Sequence, residues 1–187
     1  MAVAHTFDAI QSLLQSHKVQ RCDDNKLHIR EKDKKATLRS VSLESVGASA
    51  FYIQYDECKF PGDTLFAPHD SLHKACDAIA FCEVDSRPYI MCIELKSSEP
   101  ERHEVAQQFR GAHCFLDYLD ALLKNYCRGE TIKDWECRYF VFHSGKTPMA
   151  KRRSVEVFDN TSPDSVLFMP TENGDKHYLR RLLGKPR

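Results

Sequence analysis

Several features that mark particular protein classes are missing from this sequence of 187 residues. Its eight cysteines form no CxxC pair, so neither a zinc ribbon nor an iron–sulfur cluster is indicated. Its nine histidines form no HExxH pattern, which argues against a zinc hydrolase. No apolar run approaches the roughly eighteen residues of a membrane span, and no secretion signal is recognisable at the N-terminus. With cysteines scattered through apolar runs, we expect a cytoplasmic protein in a reducing environment, with no membrane segment.

The sequence also lacks an excess of charge of either sign. Lys and Arg total 27, as do Asp and Glu, so the composition is not that of a globally basic, nonspecific nucleic-acid binder. Phosphate contacts would have to come from local basic patches, such as 30–35, 151–153 and 180–187. The neutral balance is also compatible with a homo-oligomer or a larger complex that pools small patches into one groove.

Apolar residues make up 42% of the chain and charged residues 29%, as in soluble globular proteins that bury a core. At this length we expect a single domain over 1–187. Its predicted core covers about 44–145, followed by a C-terminal extension, 146–187.

Strand patterns alternate with three helix patterns along the chain. Hydrophobic spacing predicts a short amphipathic helix over Phe7–Ser16 and a longer one that begins with a capping box at Ser98–Glu101 and ends before Gly129. Apolar runs bounded by turn residues predict strands at Leu27–Ile29, Thr37–Leu43, Ala50–Tyr55, Cys76–Val84, Tyr89–Leu95, Cys137–His143, Val155–Phe158 and Val166–Met169, and a short helix is expected over Lys176–Leu183. Strands 76–84 and 89–95 are close enough for a hairpin. The strand–helix–strand order that follows predicts a parallel crossover and hence a mixed α/β fold.

Two acidic residues and one lysine lie where this hairpin would bring them together. Strand alternation places Glu94 and Lys96 side by side on one face, and a suitable register brings Asp77 across from Glu94. An acid and an amine at the end of a buried strand are costly unless they have partners. Mg²⁺ or Mn²⁺ would relieve the repulsion between the two carboxylates, with the Leu95 carbonyl as a third protein ligand.

The run 76–81, the hairpin and Ile93-Glu94-Leu95-Lys96 together resemble the core of PD-(D/E)xK nucleases, shared by restriction endonucleases and RecB-type recombination nucleases. The similarity covers about residues 70–145. It implies a three-layer, restriction endonuclease-like α/β fold whose central mixed sheet is flanked by helices. It also implies that Asp77 and Glu94 hold a divalent metal, while Lys96 orients or activates the attacking water in phosphodiester hydrolysis.

Two further positions follow from the resemblance. Members of the RecB-type branch carry a Gln in the helix after the lysine strand, and Gln108 occupies that place, flanking the apolar stripe, whereas Gln107 should face solvent. Ala112 stands where that branch has a Tyr, and Cys76 where many members have a Pro. The upstream Glu that many members place on their first core helix, as a metal ligand, corresponds to Glu44 or Glu57, of which we favour Glu44.

The sequence therefore predicts a Mg²⁺-dependent nuclease, most simply a deoxyribonuclease of a microbial defence or DNA-processing system. The alternative is a catalytically inactive nuclease-fold subunit that binds nucleic acid or a partner such as an ATPase. His143, at the end of its strand, either lies near the site or only ends the sheet. The sequence does not separate these two positions.

Overall fold

The computed structural model describes residues 2–31, 33–57, 74–145 and 159–185. Three α-helices, α1 to α3, are described there: Ala2–Leu13, Arg102–Tyr126 and Leu179–Leu182. The strands described there, β1 to β9, are Val19–Arg21, Lys26–Arg30, Ser40–Glu44, Phe51–Gln54, Ala78–Val84, Arg87–Lys96, Glu136–His143, Leu167–Pro170 and Lys176–Tyr178. Short 3₁₀ turns at Ser16–Lys18 and Tyr55–Glu57 precede β1 and follow β4. The predicted strand 155–158 and the basic patch 151–153 lie outside the described residues.

The protein has a mixed α/β fold built on a six-stranded sheet of order β1-β4-β5-β6-β7-β8. Pairing is antiparallel from β1 through β6 and parallel from β6 through β8. The predicted hairpin and crossover are both confirmed, because β5 pairs with β6 and α2 connects β6 to its parallel neighbour β7. Strands β1 and β8, which form the two edges of this sheet, lie outside the predicted core of 44–145.

The β5–β6 turn is tighter than predicted. Only Asp85 and Ser86 separate the strands, with φ angles of 54° and 60°. Two consecutive residues with positive φ form the two-residue turn whose twist matches that of paired strands. This turn sets the register that matters for the site, with Ala78 opposite Ile93.

The start of α2 differs from the predicted capping box at Ser98–Glu101. The N-cap is Glu101, its side chain makes no capping hydrogen bond, and the helix begins at Arg102. The preceding residues are held instead by tertiary contacts, since the Thr37 N–H donates to the Ser97 hydroxyl at 2.8 Å. Pro100 further disfavours helical geometry in the residue before it. The contact between Thr37 and Ser97, which are distant in sequence, therefore outweighs the local capping pattern at Ser98–Glu101.

The two longer helices, α1 and α2, cover one face of the large sheet. The core on that face contains Phe7 and Ile10 of α1 and the apolar stripe of α2, which packs on Ile79, Ile90 and other sheet residues. The opposite face is covered by a second sheet of order β2-β3-β9, together with α3. The central mixed sheet is therefore flanked by α1 and α2 on one face, and by the small sheet and α3 on the other. The small sheet packs there because period-two alternation in β2 and β3 buries Leu27, Ile29, Val41 and Leu43 against the large sheet.

The predicted helix over 176–183 is divided in the structure. Lys176–Tyr178 forms β9, which pairs in parallel with Ser42–Glu44 of β3, and only Leu179–Leu182 is helical. Residues 176–178 pair with the open edge of β3 and therefore do not extend the helix.

None of the described helices is long and apolar enough to cross a membrane.

Gly111 allows α2 to approach the segment that leads into β5. A Cβ at this position would lie 2.0 Å from the carbonyl oxygen of Lys74, which is backbone and cannot move aside alone. Alanine normally stabilises a helix interior by about 0.5–1 kcal/mol relative to glycine. Here the steric clash should outweigh that gain, and Gly111→Ala should lower the free energy of unfolding by about 2 kcal/mol.

Urea unfolding followed by circular dichroism measures this change. Cys114→Ala, an exposed position on the same helix, is the matched control and should change the stability by less than about 0.5 kcal/mol. Unchanged or increased stability of Gly111→Ala would contradict the close approach of α2 to the 74–76 segment.

Candidate active site

Two buried carboxylates lie together where β5 begins and β6 ends. The register that pairs Ala78 with Ile93 continues by one position and places Asp77 opposite Glu94. The Asp77 N–H donates to Oε2 of Glu94 at 3.1 Å, and the Leu95 N–H donates to Oδ2 of Asp77 at 2.5 Å. Glu94 is 1% exposed and Asp77 is 7% exposed. Each acidic side chain is therefore held by the backbone of the other strand.

Lys96 and Gln108 converge on the same oxygen of Glu94. The Lys96 Nζ lies 2.5 Å from Oε1, and the Gln108 Nε2 donates to Oε1 at 2.7 Å and to the Ala75 carbonyl at 3.3 Å. Lys96 shares its face with Glu94 because β6 alternates, whereas Gln108 reaches the site from α2 across the core. The structure thus brings together four sequence-predicted residues from β5, β6 and α2.

The electrostatics of the pair favour a positive charge at this position. Burial raises the pKa of Glu94, which Lys96 and the hydrogen bond from Gln108 partly offset. Burial also raises the pKa of Asp77 well above its ordinary value, and the charge of Glu94 raises it further, against the effect of the Leu95 N–H. Burial lowers the pKa of Lys96, but the adjacent carboxylates outweigh it and the pKa is raised overall. One lysine thus faces two carboxylates, and its single positive charge does not neutralise both of them when both are ionised.

The carboxylate oxygens at this position are of the type that Mg²⁺ or Mn²⁺ prefers. Mg²⁺ is commonly bound by one or two carboxylates, and water and substrate phosphates complete its shell. Asp77 and Glu94 supply such a pair, while no cluster of three or more His, Cys, Asp or Glu residues suited to a metal occurs in the described part of the chain. Leu95 takes part in the site through its N–H, and its side chain packs in the core on the other face of the sheet.

Glu44 lies elsewhere. It is the last residue of β3 in the small sheet, not part of a helix, and its Oε1 is 3.7 Å from Nζ of Lys176. Two residues after Glu44, the Val46 carbonyl accepts a hydrogen bond from the Glu83 N–H. Glu83 lies six residues after Asp77 along β5, so this hydrogen bond is roughly 20 Å from Asp77. The helical location expected for Glu44 is wrong, and the structure does not bring Glu44 to the pair. The side chain of Glu57 lies outside the described residues.

Two carboxylates that were not predicted act on the site instead. Besides Glu94, the charges of Glu31 and Asp56 raise the pKa of Asp77. Glu31 follows β2, and Asp56 lies in the 3₁₀ turn after β4. Neither belongs to a recognisable motif, because each approaches Asp77 through the packing of separate strands.

No known family model, curated protein or solved structure matches this chain. The assignment of a function therefore depends on the geometry of the site.

His143 is placed next to the site. It pairs with Lys96 in the β6–β7 register and is 3% exposed, and its Nδ1 has no hydrogen-bond partner among the described residues. Burial lowers its pKa, which the nearby Glu99 partly offsets. A neutral imidazole beside Lys96 adds no competing positive charge. Gln107, expected to face solvent, is instead half-buried and accepts a hydrogen bond from Lys74.

Proposed function

We propose that this protein is a metal-dependent phosphodiesterase of the PD-(D/E)xK type with a restriction endonuclease-like fold, acting as a deoxyribonuclease. The observation that carries the proposal is the convergence on Glu94 of three donors: the Asp77 N–H, the Lys96 ammonium and the Gln108 amide. In a surface ion pair, a carboxylate would be exposed and mobile. Here it is buried and oriented from three directions, as a positioned chemical group must be.

Each residue has a distinct role in this proposal. Asp77 and Glu94 would hold a divalent cation, which when bound supplies positive charge to the phosphodiester and lowers the pKa of a coordinated water. Gln108 fixes the orientation of Glu94. Lys96 is 31% exposed in its side chain, so its ammonium can contact both the buried carboxylate and a substrate phosphate. Its positive charge stabilises the negative charge that develops in the transition state.

A basic segment borders the site and fits an anionic substrate. Residues 31–39 connect β2 to β3, and the hydrogen bond from Thr37 to Ser97 anchors this segment one residue beyond Lys96. Together with Arg30 at the end of β2, its described residues expose Lys34, Lys35 and Arg39 against a single exposed carboxylate, Asp33. A local patch of this kind supplies phosphate contacts that the neutral overall charge does not predict.

A cleavage panel tests the proposal. The purified protein is incubated with plasmid, linear duplex, single-stranded DNA and RNA, each with Mg²⁺, Mn²⁺ or EDTA. We expect cleavage of at least one DNA substrate with Mg²⁺ or Mn²⁺ and none with EDTA. Absence of cleavage of every substrate with both metals, or undiminished cleavage in EDTA, would contradict it.

A second candidate function is a nuclease-fold subunit without catalysis, which binds nucleic acid or a partner such as an ATPase. It is favoured by the fact that Asp77 and Glu94 already have protein partners, the Leu95 N–H and the Lys96 ammonium. Mn²⁺ binding, measured by calorimetry, separates the two functions. Nucleic-acid binding without Mn²⁺ binding or cleavage would favour the subunit. By analogy with other nucleases of this fold, we assign the protein to a microbial defence or DNA-processing system.

A further inference from the structure

Two cysteines on neighbouring parallel strands lie close together beneath α2. The register pairs Ile90 with Cys137 and Cys92 with Tyr139, so the cysteines are diagonal neighbours on the same face of the sheet. Their Sγ atoms are 3.9 Å apart. A disulfide requires about 2.05 Å between the sulfur atoms. Diagonal neighbours in paired strands lie about 7–8 Å apart at Cα, so the bond also requires a small shift of β7 relative to β6.

The two thiols differ in access. Cys92 is fully buried, whereas Cys137 is partly exposed. Cys137 also lines a cavity of about 320 Å³ between α2 and the start of β7. Trp135, His113 and Lys133 form part of the same wall. A small polar reagent can therefore reach Cys137 from the cavity, whereas Cys92 is buried and does not line it.

The two thiols also differ in reactivity. The hydrogen bond with Cys92 lowers the pKa of Cys137, and those with Tyr139 and the Arg138 backbone lower it further, although burial opposes them. The accessible thiol thus ionises readily, and the buried Cys92 sulfur lies in contact with it. This is the arrangement of an oxidisable cysteine beside a resolving cysteine.

We propose that Cys137 is a modification site for hydroperoxides, with Cys92 as its resolving partner. In the first step the Cys137 thiolate attacks the terminal oxygen of the hydroperoxide, the O–O bond breaks, and the leaving alkoxide or hydroxide takes up the proton that the thiol released. Cys137 is oxidised to a sulfenic acid and the peroxide is reduced. In the second step Cys92 attacks the Cys137 sulfur, its proton and the sulfenic hydroxyl leave as water, and the Cys92–Cys137 disulfide forms.

This modification is independent of the proposed nuclease chemistry, because neither thiol contacts a phosphodiester in that mechanism. The two sites are nevertheless connected through β6, where Cys92 lies two residues before Glu94. Oxidation would therefore covalently join the strand that carries Glu94 and Lys96 to its parallel neighbour.

Mass spectrometry tests the proposal on the whole chain. The reduced protein is treated with stoichiometric hydrogen peroxide, and we expect an intact-mass loss of two hydrogen atoms, a Cys92–Cys137 cross-linked peptide and reversal by dithiothreitol. In Cys92→Ser the sulfenic acid cannot resolve, so dimedone should label Cys137 at least about tenfold faster than the exposed Cys114. Cys114→Ser is the matched control and should form the disulfide at the wild-type rate.

Two results would overturn the proposal. One is oxidation of the wild-type protein at Cys114 without a Cys92–Cys137 cross-link. The other is equal dimedone labelling of Cys137 and Cys114 in Cys92→Ser. Because the wild-type cross-link is read directly, the test remains decisive even if a serine variant folds poorly.

Discussion

Replacing Lys96 with methionine should reduce metal-dependent cleavage by at least about 100-fold and leave the protein folded. The Lys96 Nζ contacts Oε1 of Glu94 at 2.5 Å, and its side chain reaches the surface. Among the described residues it is therefore a cation that contacts the buried Glu94 and also reaches the solvent from which a phosphate would approach. Methionine keeps the length and apolar stem of lysine and removes only the charged donor. Initial rates of Mg²⁺-dependent cleavage measure the effect, and thermal unfolding checks the fold.

Lys74→Met is the matched control for this substitution. Lys74 lies at the same end of the sheet, but its Nζ donates to Gln107 and not to either carboxylate. The cleavage rate of Lys74→Met should stay within about threefold of wild type, because a surface charge contributes little to the chemical step. Wild-type rates in Lys96→Met would rule out the assigned role. Equal losses in both variants would show that general positive charge, not the position of Lys96, is what matters.

The local part of the site could be predicted from the sequence because it depends on strand geometry. Alternation alone places Glu94 beside Lys96, and the short β5–β6 connection leaves little freedom in the register that brings Asp77 opposite. Gln108 is indicated by the family resemblance, and helix periodicity agrees with it because this position flanks the apolar stripe of α2 that packs on the sheet. Strand alternation and the hairpin are short-range features, so they are enough for Asp77, Glu94 and Lys96.

The distant part could not be predicted, because it depends on how separate elements pack. Glu44 lies in the small sheet because it pairs with Lys26 on one side and with Tyr178 on the other. Tyr178 is about 130 residues away from it in sequence. Conversely, Glu31 and Asp56 acquire their influence on Asp77 only after β2 and β4 are in place. A solitary acidic residue in a loop carries no periodic signal that would distinguish it from surface charge.

The cysteines show the same limit. Apolar context predicts small buried side chains, which describes Cys76, Cys82 and Cys92. It does not describe Cys137, whose access depends on the cavity beside α2, nor its distance from Cys92, which depends on the β6–β7 register. The chemistry of a thiol therefore depends on its tertiary contacts more than on its neighbours in sequence.

Replacing Asp77 with asparagine should abolish the response to metal while stabilising the metal-free protein. Asparagine can still accept the Leu95 N–H, and its amide group can donate toward Glu94, so the hydrogen-bond geometry is kept. It removes one of two buried like charges, and we expect a gain of about 1 kcal/mol, or ~2–4 °C in thermal unfolding. Mn²⁺ should raise the unfolding temperature of wild type but not of Asp77→Asn. Cleavage should fall by at least about 100-fold.

The pH dependence of this gain follows from the direction of the pKa shift. Burial and the charge of Glu94 raise the pKa of Asp77 in the folded state above the ordinary value of 3.8. The folded protein then holds that proton more tightly than the unfolded chain, so wild-type stability falls as the pH rises from about 4 to the raised folded value. Asparagine has no such proton. The stability advantage of Asp77→Asn should accordingly be smallest near pH 4 and reach its maximum above the folded pKa.

Asp24→Asn is the control for this substitution, since Asp24 is an exposed aspartate with a positive φ that asparagine also tolerates. Its stability should differ little from wild type at any pH, and its response to Mn²⁺ should be unchanged. Equal stabilisation of Asp77→Asn by Mn²⁺ would remove Asp77 from the metal site. A stability advantage that shrinks with rising pH would contradict the raised pKa. Together these outcomes separate a carboxylate kept for metal binding, at a cost to folding, from one kept for its hydrogen bond to Leu95.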